Sequence, residues 1–280
     1  MNRVFHFILS HSIFISLCAA ALSLQTLQLL SLPVNSFLLA FIFFATLFAY
    51  NAYWVVSRYS YNRHIPFNSF LKKCVSSILV MFIAMVGLLY CMGKLHLVMY
   101  NTMLTFVFFC VYAMPVLPFK LLHFTRKAGY LKTVLLAISW TVVTILIPLQ
   151  IPFFKMGADA LLLFINRFLL MLLLCIIFDK RDAAIDKMRG LQSLATNINP
   201  RLLHYLMGFI FTAYILVSYS MQSYGVSMPE VAALILTGLV TLFVYISSLK
   251  KKGYLFYYFL VDGMMFLSAL LTGLAGLFRV

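Results

Sequence analysis

The chain has 280 residues, of which 64% are hydrophobic and 10% charged, with a mean hydropathy of +1.04. A water-soluble domain of this length cannot cover itself with so few charges, so the composition excludes a soluble protein and predicts an integral membrane one. The formal charge of +15 is then read as membrane topology and contact with anionic lipid, not as nucleic-acid binding.

At ~20 apolar residues per crossing, nine spans are expected, near 5–30, 34–57, 74–93, 96–117, 130–150, 160–178, 202–222, 230–249 and 254–278. The alternating pattern of a membrane barrel is absent, so the expected fold is an all-α membrane protein of nine transmembrane helices. No repeat or composition break divides the chain, and a single membrane domain over 1–280 is expected. The first apolar run continues to Leu32, too long for a cleaved signal, and reads as a first span. A short turn at Ser31–Asn35 leads into the second span, which ends in the polar and aromatic stretch Tyr50-Asn51-Ala52-Tyr53-Trp54. Asn51 near a span end needs a partner, and Arg58, seven residues later, lies on the same helical face. Arg63, Lys72 and Lys73 follow in the connection to span three.

Span four ends at Tyr112–Pro118, where two prolines break the helix, and the next connection carries Lys120, Arg126, Lys127 and Lys132. Trp140 sits in the middle of span five and wants a hydrogen-bond partner for its indole N–H. Arg167 lies ~18 Å inside span six and Asp262 ~15 Å inside span nine, at 1.5 Å per residue. Both are expected to face the bundle interior, where they are candidates for a direct or water-mediated pair, or for separate polar partners. Glu230 reads as a helix cap after Pro229, and Lys250-Lys251-Lys252 as an anchoring cluster with no chemistry. The five cysteines show no CxxC spacing and read as small buried residues.

Seventeen of the 21 Lys and Arg residues fall in alternate connecting segments beginning with the N-terminus, three fall in the others, and Arg167 sits within a span. That asymmetry predicts a cytoplasmic N-terminus and an external C-terminus, in a bacterial inner membrane.

The acidic residues are the most informative. Only six occur, and three of them, Asp179, Asp182 and Asp186, end span six at spacings of three and four. On a helix they fall within an arc of roughly 60°. One reading is a set of Mg²⁺ ligands, since that ion takes carboxylate oxygens together with substrate phosphates. The other is a solvated helix end paired with its own Lys180, Arg181, Lys187 and Arg189. The three basic connections and this triplet would then form a cap that binds a diphosphate, above a cavity lined by Phe, Met, Asn51 and Arg58 and open to lipid.

The run Asp179-x-x-Asp182-x-x-x-Asp186-x-x-x-Gly190, followed by Leu191-Gln192-Ser193-Leu194, resembles the second aspartate motif of the UbiA superfamily of intramembrane prenyltransferases. The resemblance extends more loosely through Tyr112–Pro118, Lys120, Arg126-Lys127 and Lys132–Trp140. It implies nine helices around a central lipid-accessible cavity, transfer of an isoprenoid chain from a prenyl diphosphate to a lipophilic or aromatic acceptor, and Mg²⁺. Carried onto this chain, it implies Asp179, Asp182 and Asp186 as metal ligands. Asn51 joins them as a catalytic residue, with Arg58, Arg63, Lys120, Arg126, Lys127, Arg181 and Lys187 on the diphosphate.

The family's first motif, Asn-Asp-x-x-Asp-x-x-x-Asp, is missing. Aligning its asparagine on Asn51 puts Ala52, Val55 and Tyr59 at the aspartate positions, and residues 1–158 contain no Asp or Glu. One Mg²⁺ rather than two is therefore expected, with Arg58 and Arg63 supplying fixed charge in place of the second. The alternatives are a protein that binds isoprenoid or another lipid without catalysis, and a transporter with Arg167 and Asp262 on its pathway.

Overall fold

The computed structural model describes residues 3–61, 67–95, 99–113, 129–188 and 198–278, with side chains left out at a few positions inside those ranges, among them 184–188. Among them every regular element is helical. In chain order these are α1 (Arg3–Ser10), α2 (Ile13–Leu29), α3 (Ser36–Tyr61), α4 (Phe67–Lys73), α5 (Val75–Met92), α6 (Met99–Ala113) and α7 (Gly129–Thr141). They continue with α8 (Ala158–Met188), α9 (Pro200–Ser220), α10 (Met228–Ser248) and α11 (Asp262–Gly276). Six of them, α3, α5, α8, α9, α10 and α11, are long and apolar enough to cross a membrane, α9 with its extension to Tyr224 and α11 with its lead-in from Phe256. The outward side chains agree with a lipid surround: Phe82, Tyr205, Phe209 and Phe243 are between 69% and 75% exposed. In water such a surface would drive aggregation.

The first expected span is broken. α1 and α2 meet at 64°, because Ser12 adopts a left-handed conformation with φ of 61°. Among the described residues, the fourth and fifth expected spans correspond to α6, of 15 residues, and to the apolar helix Thr133–Leu149, both shorter there than ~20 residues. In the second case the helix passes through a π-helical turn at Val142–Leu146 and on to Ile147–Leu149. Pro148 has no N–H to return to the carbonyl of Thr144. Thr26 of α2 supplies the donor instead, its hydroxyl reaching that carbonyl at 2.8 Å. Asn101 of α6 donates to the carbonyls of Leu146 and Ile151 at 2.7 and 2.8 Å.

α2 is the axle of the bundle, packing on α3 and α11; α3 packs on α5, while α11 is followed in space by α10, α9, α8, α7 and α6. Several buried positions of α2 are small, namely Ser16, Cys18, Ala19 and Ser23, and small residues let neighbouring backbones approach closely. Glu230 caps α10 as expected, its carboxylate accepting from the backbone N–H and hydroxyl of Ser227 at 2.9 and 2.7 Å.

Close approach also sets the α9–α10 seam. A Cβ at Gly238 would lie 2.7 Å from the ring of Tyr214, which is fully buried and donates its hydroxyl to the carbonyl of Leu234 at 2.9 Å. Gly238→Ala is expected to destabilise the protein by about 1–3 kcal/mol through overpacking. Gly208→Ala on α9, where a Cβ meets nothing within 4 Å, should instead stabilise it by about 0.4–1 kcal/mol. Unfolding of the purified variants in mixed micelles checks both signs.

Candidate active site

Helices α1, α2, α3, α5, α6, α7, α8 and α11 surround a cavity of about 1070 Å³. Its walls are mainly apolar, with Phe41, Ile42, Trp140, Met171, Leu174 and Met265 among the lining residues. The charged side chains on it are Arg58, Asp179, Arg181, Asp182, Lys252 and Asp262. Arg58 comes from the last turn of α3, the α8 residues from near its C-terminal end, and Lys252 from the connection ahead of the last helix. Helix ends that carry charge thus meet helix middles that carry rings.

Asp179 is buried and accepts a hydrogen bond from the hydroxyl of Thr133 on α7. One turn further, Asp182 receives the fork of Arg181, with Nε on Oδ1 at 2.7 Å and Nη2 on Oδ2 at 2.9 Å. The same guanidinium lies over the rings of Phe178, Tyr257 and Tyr258, at 4.8, 5.1 and 4.9 Å from their centroids. Each such contact is worth roughly 0.5–2 kcal/mol according to its desolvation. Arginine's flat, permanently charged head suits this sandwich, and a lysine would not. Its Nη1 is buried and has no hydrogen-bond partner among the described residues. An unpaired buried donor is costly, so this atom marks a place where a ligand oxygen or water would bind favourably.

Tyrosines furnish the rest of the polar lining. Trp140 donates to the hydroxyl of Tyr50 at 3.1 Å, the partner its mid-span indole required. Tyr254 packs on Tyr258 at 4.3 Å and on His6 at 5.8 Å between ring centroids.

Comparison with known proteins gives a fold but no sequence relative: no family model and no curated protein matches the chain. The apo structure of a UbiA homolog from Aeropyrum pernix K1 matches with a TM-score of 0.57 at 13% identity, over 95% of this chain and 97% of that one. A digeranylgeranylglyceryl phosphate synthase matches with a TM-score of 0.56 at 11% identity, over 99% of both chains. The chain has the UbiA-superfamily fold. At such identities the likeness lies in the course of the backbone, so the chemistry of this chain rests on its own side chains.

Of the residues singled out in the sequence, Asp179, Asp182, Arg58 and Arg181 come together on the cavity. Asn51 does not line it. Its amide donates to the carbonyls of His11 and Leu47 at 2.9 and 2.8 Å, which ties α3 to the break between α1 and α2. Arg63, Lys120, Arg126 and Lys127 lie outside the described residues, as do the side chains of Asp186 and Lys187. Arg167 and Asp262 both face inward, 2% and 5% exposed, yet they are not a pair. Arg167 donates to Gln25 Oε1 at 2.7 Å and to the Leu22 carbonyl at 3.3 Å.

Lys252, read as a plain anchor, is a cavity residue and lies 5.5 Å from the ring centroid of Phe256. Thr133, Tyr257 and Tyr258 were not singled out at all. The spacing Tyr254-x-x-Tyr257-Tyr258 beside a lysine cluster was the available signal for two of them.

Among the described residues no group of three or more His, Cys, Asp or Glu is placed to hold a metal. The donor chemistry of Asp179 and Asp182 nevertheless suits one Mg²⁺. Asp182 spends one lone pair per oxygen on the Arg181 fork, out of about four on a carboxylate, and Mg²⁺ is commonly held by one or two carboxylates plus phosphate.

The Thr133–Asp179 contact joins α7 to α8 beneath this pair. Thr133→Val should cost about 1.5–3 kcal/mol, the range for a hydrogen bond to a charged group. Thr133→Ser should recover most of that loss in the same unfolding titration.

Proposed function

We propose that this protein transfers an isoprenoid chain from a prenyl diphosphate to a lipophilic or aromatic acceptor within the membrane. The observation that carries the reading is the guanidinium of Arg181. It is clamped between three rings, forked onto Asp182, and left with a buried unpaired N–H on a cavity apolar enough for a hydrocarbon tail. One neighbour in fold is a digeranylgeranylglyceryl phosphate synthase, and an isoprenoid donor fits the same pairing of charged head and greasy wall.

On this reading the chain crosses the membrane nine times as one domain, with its N-terminus cytoplasmic. The bent pair α1–α2, α6 and the helix Thr133–Leu149 supply the three crossings beyond the six long helices. Arg181, Arg58 and Lys252 hold the diphosphate, joined by Arg63, Lys120, Arg126, Lys127 and Lys187 from the connections. Asp179 and Asp182, with Asp186, are the residues that would hold Mg²⁺, which when bound neutralises charge building on the departing diphosphate. The bond between C1 and the diphosphate oxygen breaks, and the electron pair leaves with the diphosphate. The allylic carbon is captured by the acceptor, which gives up a proton. Aromatic walls exclude the water that would otherwise hydrolyse the cation. Fixed arginine charge takes the share that a second metal cluster would carry, because residues 1–158 offer no carboxylate.

That same lack of carboxylates favours a second reading, in which the protein binds an isoprenoid lipid without transferring it. Radiolabelled geranylgeranyl diphosphate, offered to the protein in nanodiscs with and without Mg²⁺ and with a membrane lipid extract as acceptor, separates the two. Mg²⁺-dependent binding with release of diphosphate is expected. Binding without release selects the second reading, and no binding removes both. Asp182→Ala should abolish the Mg²⁺ dependence, while Arg58→Ala should weaken binding roughly tenfold even at saturating Mg²⁺, as for one charged hydrogen bond. Two ions per bound substrate would overturn the one-metal account.

A further inference from the structure

We propose that Asp262 is the recognition group for a neutral, hydroxyl-bearing acceptor, in the same cavity as the diphosphate site but on a different helix. The inference rests on the transfer reading above and names the acceptor's chemical class. Asp262 is 5% exposed and lines the cavity. Among the described residues nothing donates a hydrogen bond to its carboxylate and nothing forms an ion pair with it. Arg167, the other deep charge, is committed to Gln25 and Leu22.

Tyr50 on α3, Arg181 on α8, and Tyr254 and Tyr258 ahead of Asp262 in the chain line the cavity together with it. Cys18 on α2, buried outside the lining, is near enough to feel its charge. Arg181 feels both Asp182 and Asp262, but its fork belongs to Asp182. No side chain among the described residues thus fixes the lone pairs of Asp262. A buried carboxyl in that condition suits a hydroxyl, which donates to its ionised form and accepts from its protonated form.

The backbone points the same way. Residues Phe256–Val261 form a π-helical turn that ends immediately before Asp262. Such turns widen the helix, rotate the residues that follow, and occur often at functional sites. The class of acceptor follows from charge. A hydroxyl gives Asp262 the donor it lacks. A carboxylate set beside it would bind only with uptake of a proton, since two like charges in an apolar cavity cost far more than in water, whereas a neutral hydroxyl needs no such uptake.

Both tryptophans of the chain, Trp54 and Trp140, line the cavity, so intrinsic fluorescence of the protein in nanodiscs reports binding directly. The probes are 4-nonylphenol, its methyl ether 4-nonylanisole, and 4-nonylbenzoate. The wild-type protein should bind the phenol about tenfold more tightly than the ether, the effect of one hydrogen bond to a charged group, and the benzoate more weakly than the phenol. In Asp262→Leu the preference for phenol over ether should vanish, and in Asp262→Asn the benzoate should gain affinity. Equal binding of phenol and ether by the wild type, or a preference that survives in Asp262→Leu, overturns the proposal. Should Asp262→Leu fail to fold, Asp262→Asn decides: benzoate affinity unchanged from wild type overturns it. Geranylgeranyl diphosphate binding, measured separately, keeps the two readings apart. Its absence beside an intact phenol preference removes the transfer reading and leaves Asp262 as a hydroxyl site, whereas its presence without that preference removes only Asp262.

Discussion

Inside a bilayer every backbone polar group must find its partner within the protein, and the interior of this molecule is arranged around the places where its helices fail to supply one. Two of the breaks have a side chain from a neighbouring helix on their open carbonyls. Asn51 reaches the carbonyl of His11 at the bend between α1 and α2, Thr26 reaches the carbonyl freed by Pro148, and Asn101 spans the end of the same segment. Removing any of these groups would leave a carbonyl facing hydrocarbon, a penalty of several kcal/mol in that setting. The breaks serve the cavity. Residues beside them, Ser12, Val143 and Ile147, are among those that line it.

A second polar web lies apart from the cavity and binds α2, α8 and α11 together. Arg167 holds Gln25, and Gln25 in turn donates to Ser268 and to Thr272, at 3.0 and 2.9 Å for their hydroxyls. A buried guanidinium is expensive, and its Nη1 has no partner among the described residues. What it contributes is register: α2 lies between α3 and α11, and a lock in its C-terminal half fixes how the two cavity walls it joins stand to each other. The position of Asp262, one helix turn and a half before Ser268, depends on that register.

Much of this was legible in the sequence. Long apolar runs gave the six long spans, because hydrocarbon contact leaves so little freedom in composition, and Asp179, Asp182 and Arg181 could be placed together because helix spacing alone puts them near one end of α8. The bend at Ser12 was not legible, since a serine in a left-handed conformation leaves no mark in hydropathy. Asn51 illustrates the limit more sharply. Its need for a partner was read correctly, but the partner is a backbone carbonyl forty residues away in sequence, which no local pattern encodes. Pairing Arg167 with Asp262 failed for a similar reason. Depth along a helix is countable, whereas rotation about it is decided by packing and, at the last span, by a π-helical turn.

The cavity's charges also bear on how a site can work with carboxylates on one wall only. Opposed carboxylate clusters hold a diphosphate through two ions, each recruited from solution. Here the wall contributed by α3 carries Arg58 instead, and α8 carries Arg181 already neutralised by Asp182. For a diphosphate to bind, that fork must be shared: the spare Nη1 can take a phosphate oxygen without breaking the two bonds to Asp182. The three rings around the guanidinium keep its plane fixed during the exchange, so little conformational entropy is lost when the new contact forms. A positive group that is permanent, oriented and part-used offers recognition before any ion arrives. On the transfer reading, a metal held by Asp179 and Asp182 would add charge at the acid side of the same pair, and order of binding would follow from which charges are built into the fold and which are borrowed from solution.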